Sequence, residues 1–154
     1  MQLKRLSLLV GIVGFYEDSF LIIKRSRVCK FLPLNWTFPA GKLEIGVENI
    51  NDAVLRELHE ETGLEGTIMD ILNVSEFTGI KESTFLHNVQ LNFLVSLHNN
   101  MVLLNDEAES FDWFKLENYL DSPLNEYNKK IIESSYDKIK HRLTKGLPQV
   151  WRTE

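Results

Sequence analysis

The stretch from Gly41 to Leu64, GKLEIGVENINDAVLRELHEETGL, constrains this chain more than any other. Its second half predicts a helix. Asn49 is a natural N-cap, and Asp52 three residues on completes a box-like pair at the positive end of the helix dipole. Ile50, Val54, Leu55 and Leu58 form an apolar stripe, with Ala53 as a good helix former. Gly63 supplies a C′ residue free to take positive φ, and Leu64 resumes an apolar run. On that helix Glu57, Glu60 and Glu61 stand at i, i+3 and i+4 and share one face. Three like charges on one face repel. Standing alone, such a face reads as a solvated surface; otherwise it needs something strongly positive against it. Hard divalent cations such as Mg²⁺ take carboxylate oxygens and share them with substrate phosphates.

The whole pattern, a Gly, a spacer, a Glu, seven residues and then Arg-Glu-Leu-x-Glu-Glu-x-Gly-Leu, resembles the Nudix box of the MutT-type pyrophosphohydrolases. From Glu48 onward each expected residue is present: Arg56, Glu57, Leu58, Glu60, Glu61, Gly63 and Leu64. The lead-in from Trp36 to Glu44 is similar too. Two departures stand in the loop before the helix. The family has five residues between the Gly and the first Glu, whereas Gly41 and Glu48 enclose one more, placed near Gly46-Val47. The family also has Gly-Gly where this chain has Ala40-Gly41. The normal spacing from Glu48 to Arg56 predicts that the extra residue forms a local bulge and leaves Glu48 within reach of Arg56.

The rest of the chain agrees with one α/β domain over 1–154. Its 154 residues suffice to bury roughly 68–70% of the unfolded surface. Ser7–Phe15 and Phe20–Lys24 predict a hairpin around Glu17-Asp18-Ser19, and Trp36–Phe38 a short strand running into the box. Thr67–Phe77, Gln90–Leu97 and Phe111–Leu116 predict further strands. A last helix is expected from Ser122-Pro123 to about Leu143, with Ile131, Ile132, Tyr136, Ile139 and Leu143 at helical spacing and Gly146 and Pro148 ending it. The resemblance implies a Nudix-type α/β/α sandwich with a mixed sheet between helices. Lys4-Arg5 followed by the apolar run Leu6–Phe15 mimics the start of a signal peptide. No small-x-small site follows it, and ten residues are too few to span a bilayer, so a buried strand is expected and no membrane partner. Cys29 is the single cysteine, which allows no intrachain disulfide and points to a reducing cytoplasm. The net charge of −5 argues against binding long nucleic acid, yet leaves nucleotides open, since their phosphates arrive with a metal.

By their motif positions the resemblance makes Glu57, Glu60 and Glu61 ligands of Mg²⁺ (or Mn²⁺), with the backbone carbonyl of Ala40 as a further donor. Arg56 and Glu48 then orient those ligands, a guanidinium being able to hold a carboxylate at two points. The family often sets another glutamate in the loop before a Trp-bearing strand. Glu107, six residues before Trp113, fits as the base, with Glu109 as runner-up; a plain acidic loop from Asp106 to Asp112 is the alternative. Lys24, Arg25, Arg27 and Lys30 fall where phosphates could be met, or where any solvated basic loop could lie. Asn125 resembles an asparagine that reads a guanine-like base, against a simple N-cap role. Phe77, Phe85 and Trp113 are candidates to stack a base, or core residues. Gly79-Ile80 and Lys81-Glu82 stand where the ADP-ribose and diadenosine types carry a proline and a tyrosine. The expectation is a metal-dependent pyrophosphohydrolase of nucleoside diphosphates linked to another moiety, foremost nucleoside triphosphates. RNA 5′ ends, nucleotide sugars (a style echoed in Leu104-Asn105-Asp106-Glu107) and a non-catalytic nucleotide-binding module are the alternatives. Monomer and homodimer are both left open.

Overall fold

The computed structural model describes residues 2–145. Strand β1 (Leu3–Tyr16) turns at Glu17, whose φ is 55°, into β2 (Ser19–Arg25), pairing Phe15 with Phe20. Two short strands follow. β3 (Trp36–Thr37) joins β2, and β4 (Ala40–Lys42) lies antiparallel on β1, with Gly11 opposite Ala40. Helix α1 (Ile50–Thr62) then leads to a long hairpin of β5 (Gly66–Lys81) and β6 (Thr84–Leu97). β6 runs parallel to β1 from Leu3 opposite Thr84 to Phe15 opposite Ser96. β7 (Ala108–Lys115) returns antiparallel to β2, a 3₁₀ turn spans Leu116–Asp121, and α2 (Glu126–Thr144) closes the described chain. The sheet order is β3-β2-β1-β6-β5, with β4 and β7 attached to β1 and β2.

Strand periodicity assigns the sheet's two faces. Val10 and Ile12 of β1, Leu21 of β2 and Phe93, Val95 and Leu97 of β6 pack with Ala53, Val54, Leu58 and Leu64 at α1. Val13 and Phe15, Phe20 and Ile22, and Leu94 face the other way, onto Ile131, Ile132 and Ile139 of α2. Covering both faces explains why these strands read as nearly continuous apolar runs. The expected α/β architecture, with a mixed sheet between helices, is the observed one. The apolar run Leu6–Phe15 lies within β1, and no helix among the described residues is long and apolar enough to cross a membrane.

Several boundaries differ from the expectation. β5 and β6 extend well past Phe77 and back before Gln90, because Ile80 pairs with Phe85 and a tight turn at Glu82-Ser83 (φ 50° and 63°) needs no glycine. β4 was hidden in the box's lead-in, where three residues give no periodic signal. α2 starts later than Ser122-Pro123: Ser122 closes the 3₁₀ turn, and Asn125 is the N-cap, its side chain accepting from the Asn128 N–H at 3.0 Å. Tyr136 and Leu143 are only partly buried. On α1, Leu55 is 38% exposed, so Ala53 takes its place on the packed stripe. The expected helix stop at Gly146 and Pro148 lies outside the described residues.

Candidate active site

The caps of α1 fix where its carboxylates emerge. The Asn49 side chain accepts from the Asp52 N–H at 2.8 Å, and Gly63, at φ 71°, donates its N–H to the His59 carbonyl at 2.8 Å. Between these caps Val54 and Leu58 anchor the helix on the sheet. Glu57 and Glu61 border that anchored stripe and are themselves buried, while the Glu60 side chain is half exposed. The carboxylates therefore do not form a face wholly separate from the packed one: two of the three are drawn into the protein.

Arg56 organises the group. Its Nε and Nη2 donate to Glu48 Oε2 and Oε1 at 2.8 and 2.7 Å, a two-point grip. Nη2 also donates to the Lys42 carbonyl at 3.1 Å. Nη1 donates to Glu57 Oε1 at 2.9 Å and to Glu60 Oε2 at 3.1 Å. This pairing holds the Glu48 carboxyl down at about 2, through the Arg56 hydrogen bonds first and the Glu44 N–H second, and raises the guanidinium. The extra loop residue is absorbed upstream. The Val47 N–H donates to the Glu44 carbonyl at 3.1 Å, Gly46 takes φ 77°, and the Glu44 N–H donates to Glu48 Oε1 at 3.0 Å. The bulge pushes Ile45 and Val47 outward and leaves the Glu48–Arg56 pair intact.

Gly41 explains itself by a close approach. A Cβ there would lie 2.0 Å from Glu57 Cδ and 2.2 and 2.3 Å from its two oxygens, so the carboxylate rests directly on the Gly41 backbone. Beside it Glu61 is almost fully buried, and its Oε2 has no hydrogen-bond partner. Burial pushes Glu61 well above the ordinary carboxylate range. The charges of Glu57 and Glu107 push it further, against weaker pulls from Arg25 and the Ala40 backbone. Glu57 is also raised, by burial first, with Glu60 and Glu107 adding to the effect and Arg56 opposing it. Buried carboxylates that raise one another, one of them with an orphaned oxygen, form a donor set suited to a hard divalent cation. Among the described residues, no three such side chains converge closely enough to grip an ion as they stand. Arg56 Nη1 occupies one oxygen each of Glu57 and Glu60.

The two acidic-loop candidates are placed differently. The Glu107 carboxylate stands close enough to Glu57 and Glu61 to raise both, and its backbone is pinned. Its carbonyl accepts from the Ser26 N–H at 2.9 Å and from Cys29 Sγ at 3.3 Å, and its N–H donates to Asn105 Oδ1 at 2.9 Å. Glu109 instead pairs with Lys24 at 3.6 Å and Arg27 at 3.7 Å. Arg25 donates Nε to the Phe31 carbonyl at 2.7 Å and lines the same cleft as Glu57 and Glu107. Lys30 lines it too, whereas Lys24 does not.

That cleft, about 760 Å³, runs from the carboxylates to an aromatic end. Phe31 stacks on Phe77 with ring centroids 5.5 Å apart, and Phe77 meets Tyr127 edge-on at 5.4 Å. Of the aromatics singled out in the sequence, Phe77 lies here. Phe85 lines a separate depression beside Arg5 and His87, and Trp113 packs against the α1-side core. Asn125 is not brought to the cleft. Its Oδ1 caps α2 and its Nδ2 donates to Asn35 Oδ1 at 3.1 Å, so both ends of the amide are engaged. Sequence reasoning missed Phe31, Tyr127 and Gln90. Phe31 sits in an unpatterned loop, and the other two belong to elements whose pattern reports only on packing.

A family model described as the NUDIX domain matches residues 6–134. The chain is 28% identical over 101 residues to diphosphoinositol polyphosphate phosphohydrolase 2 of Mus musculus, covering 66% of this chain and 52% of that one. The chain thus spans about half the length of that relative. It is 24% identical over 123 residues to the nucleoside triphosphatase NudI of Escherichia coli O17:K52:H18, covering 75% and 86%. Its fold is similar to that of the MutT protein from Methanosarcina mazei Go1, with a TM-score of 0.70, 24% identity, and coverage of 89% and 97%.

Proposed function

The chain belongs to the NUDIX family of hydrolases, and from that premise we propose that it is a metal-dependent pyrophosphohydrolase of nucleoside diphosphates linked to another moiety, foremost cleaving nucleoside triphosphates to monophosphate and pyrophosphate. The observation that carries the reading is the buried Glu61 carboxylate, with its unpartnered Oε2 beside Glu57 and Glu107. Burying mutually repelling carboxylates costs stability unless a cation compensates them in the working state. Glu57, Glu60 and Glu61, with the Ala40 carbonyl, would hold Mg²⁺ or Mn²⁺. When bound, the ion supplies an acidified water and charge neutralisation on phosphate oxygens.

The chain's own groups do the rest. Arg56 and Glu48 hold the helix carboxylates in register. Glu107 accepts the proton of the attacking water as its oxygen bonds to phosphorus and the bridging P–O bond breaks. Its pinned backbone and its nearness to Glu57 and Glu61 support that role. Arg25 lines the cleft and supplies positive charge to the phosphates, with Lys24 further out. The 760 Å³ cleft and its aromatic end support a substrate carrying a ring as well as phosphates. The single cysteine supports work in a reducing cytoplasm. The test is a panel of nucleoside triphosphates, nucleotide sugars, dinucleotides, capped RNA and diphosphoinositols, incubated with Mg²⁺ or Mn²⁺ and resolved by product. Release of pyrophosphate from one nucleotide class supports the reading. No turnover of any pyrophosphate linkage, with folded protein and metal present, overturns it.

A further inference from the structure

Strand β6 carries a row of polar residues on its α2-facing side where apolar ones would pack: Asn88, Gln90 and Asn92, followed by Leu94. Gln90 is 4% exposed and Asn92 1% exposed. Their hydrogen bonds have only one consistent direction. The Ile131 carbonyl can only accept, so Asn73 must present Nδ2 to it, at 2.9 Å. Asn73 Oδ1 is then an acceptor and takes Asn92 Nδ2 at 2.9 Å. Asn92 Nδ2 also reaches Ser75 Oγ at 3.0 Å, and Ser75 is tied to the Tyr127 hydroxyl at 2.7 Å. Asn92 is thereby left with Oδ1 free, and Gln90 donates Nε2 to it at 2.8 Å. The amide of Gln90 cannot flip without opposing two acceptors. Gly11 makes room for this link: a Cβ there would lie 2.4 Å from Asn92 Oδ1 and 2.6 Å from Gln90 Nε2.

Within the relay Gln90 Oε1 accepts no hydrogen bond, and Gln90 lines the cleft together with Phe31, Phe77 and Tyr127. We propose that Gln90 is the specificity-determining residue of this cleft, a fixed acceptor that selects the exocyclic amino group of a nucleobase held in the Phe31–Phe77–Tyr127 compartment. This inference rests on the pyrophosphohydrolase reading and deepens it by naming the ring as a donor-bearing base. An aromatic compartment favours a flat ring over a polyphosphorylated cyclitol. A buried acceptor of fixed polarity penalises any occupant that leaves it unpaired, by ~10–100-fold in kcat/KM.

The experiment compares wild type with Gln90→Met, which keeps the length and removes the acceptor. The probes are ATP, CTP and GTP, their counterparts lacking the exocyclic amino group (purine riboside, 2-pyrimidinone riboside and inosine triphosphates), and ribose 5-triphosphate, which has no base. Binding of the matching monophosphates is measured by calorimetry, so that base reading is scored independently of hydrolysis. Wild type is expected to prefer one amino-bearing base over its counterpart by ~10-fold or more, and Gln90→Met to reduce that preference to within ~2-fold through KM rather than kcat. Gly11→Ala or Ser75→Ala, which disturb the relay without touching the ligand, should erode the preference partly; they also serve if Gln90→Met melts early. Undiminished preference in a folded Gln90→Met, or equal binding of amino-bearing and amino-free bases by wild type, overturns the proposal. In either case continued hydrolysis of triphosphates leaves the pyrophosphohydrolase reading standing. Base-selective binding without any hydrolysis supports the proposal and removes the enzymatic reading instead.

Discussion

Gly41→Ala tests whether the geometry of Glu57 matters to the chemistry. The added Cβ would fall 2.0 Å from the Glu57 carboxyl carbon. Reaching ordinary contact requires the carboxylate to retreat by about 1.4 Å. That retreat displaces the oxygen that accepts the 2.9 Å hydrogen bond from Arg56 Nη1. A misplacement of ~1 Å in a reacting constellation costs ~10²-fold, so kcat/KM should fall by about that factor, or roughly 2.7 kcal/mol of transition-state stabilisation. Folding should notice little. The displaced group is the end of a flexible side chain, so over-packing costs ~1 kcal/mol. The loss of glycine's freedom in the unfolded chain returns ~0.4–1 kcal/mol. The melting temperature should therefore move by no more than ~4 °C. The assay is steady-state hydrolysis of the best nucleotide from the panel, with thermal melts followed by circular dichroism. Gly79→Ala is the control, since a Cβ there meets nothing within 4 Å and activity should be unchanged. Wild-type kcat/KM in Gly41→Ala would refute the reasoning, because it would mean that the position of Glu57 is irrelevant to turnover.

Other perturbations have defined outcomes. Glu60→Gln should lower kcat by ~10²-fold or more with an unchanged dichroism spectrum, since its side chain is half exposed and only its charge is lost; near-normal turnover removes Glu60 from the site. Glu107→Gln should cost ~10²–10⁴-fold in kcat, and Glu109→Gln far less, because Glu109 faces Lys24 and Arg27; the reverse ranking shows that Glu109 is the base. Glu57 and Glu61 are raised in the folded chain, so their contribution to stability is present below the ordinary 4.5 and is lost as pH rises through their shifted range. A cation replaces those protons, so the melting-temperature gap between millimolar Mg²⁺ and chelator should widen from about pH 5 to about pH 8. A constant or narrowing gap counts against cation binding at these groups. Glu48, held at about 2, behaves oppositely: its contribution is present above 4.5 and lost toward pH 2, so Glu48→Gln should flatten the acid limb of the stability curve. An unchanged acid limb separates Glu48 from that limb.

Much of α1 was legible because its signals are local. The Asn49 cap, the Gly63 stop and the 3.6-residue spacing need no partner to be read. The Glu48–Arg56 pair was legible because the spacing between its members is normal, which confined the extra residue to the turn at Gly46. What escaped depends on approach between distant segments. That Gly41 is needed follows only once Glu57 lies on it, and Gly11 only once the Gln90–Asn92 bond fills its place. The different settings of Glu107 and Glu109 arise from contacts with distant residues, Glu109 pairing with Lys24 and Arg27, which sequence distance from Trp113 does not encode. Asn125 shows the converse: the same residue type suits an N-cap and a base contact, and local geometry uses it as the cap.

The parallel pairing of β1 with β6 also sets an order of assembly. The two strands lie roughly eighty residues apart in the chain, so β1 leaves a ribosome about 4–16 s before its partner does. In that interval the apolar stretch from Val10 to Phe15 has only β2 and β4 as strand neighbours, and one edge stays open to other chains. The helix bearing the glutamates is made during the wait, but the strand that completes its packing surface is not. The cleft's lining is incomplete until Gln90 of β6 and Tyr127 and Asn128 of α2 have been made. Substitutions that slow the tight turn at Glu82-Ser83 should prolong this vulnerable interval and lower the soluble yield, even where they leave the finished molecule equally stable.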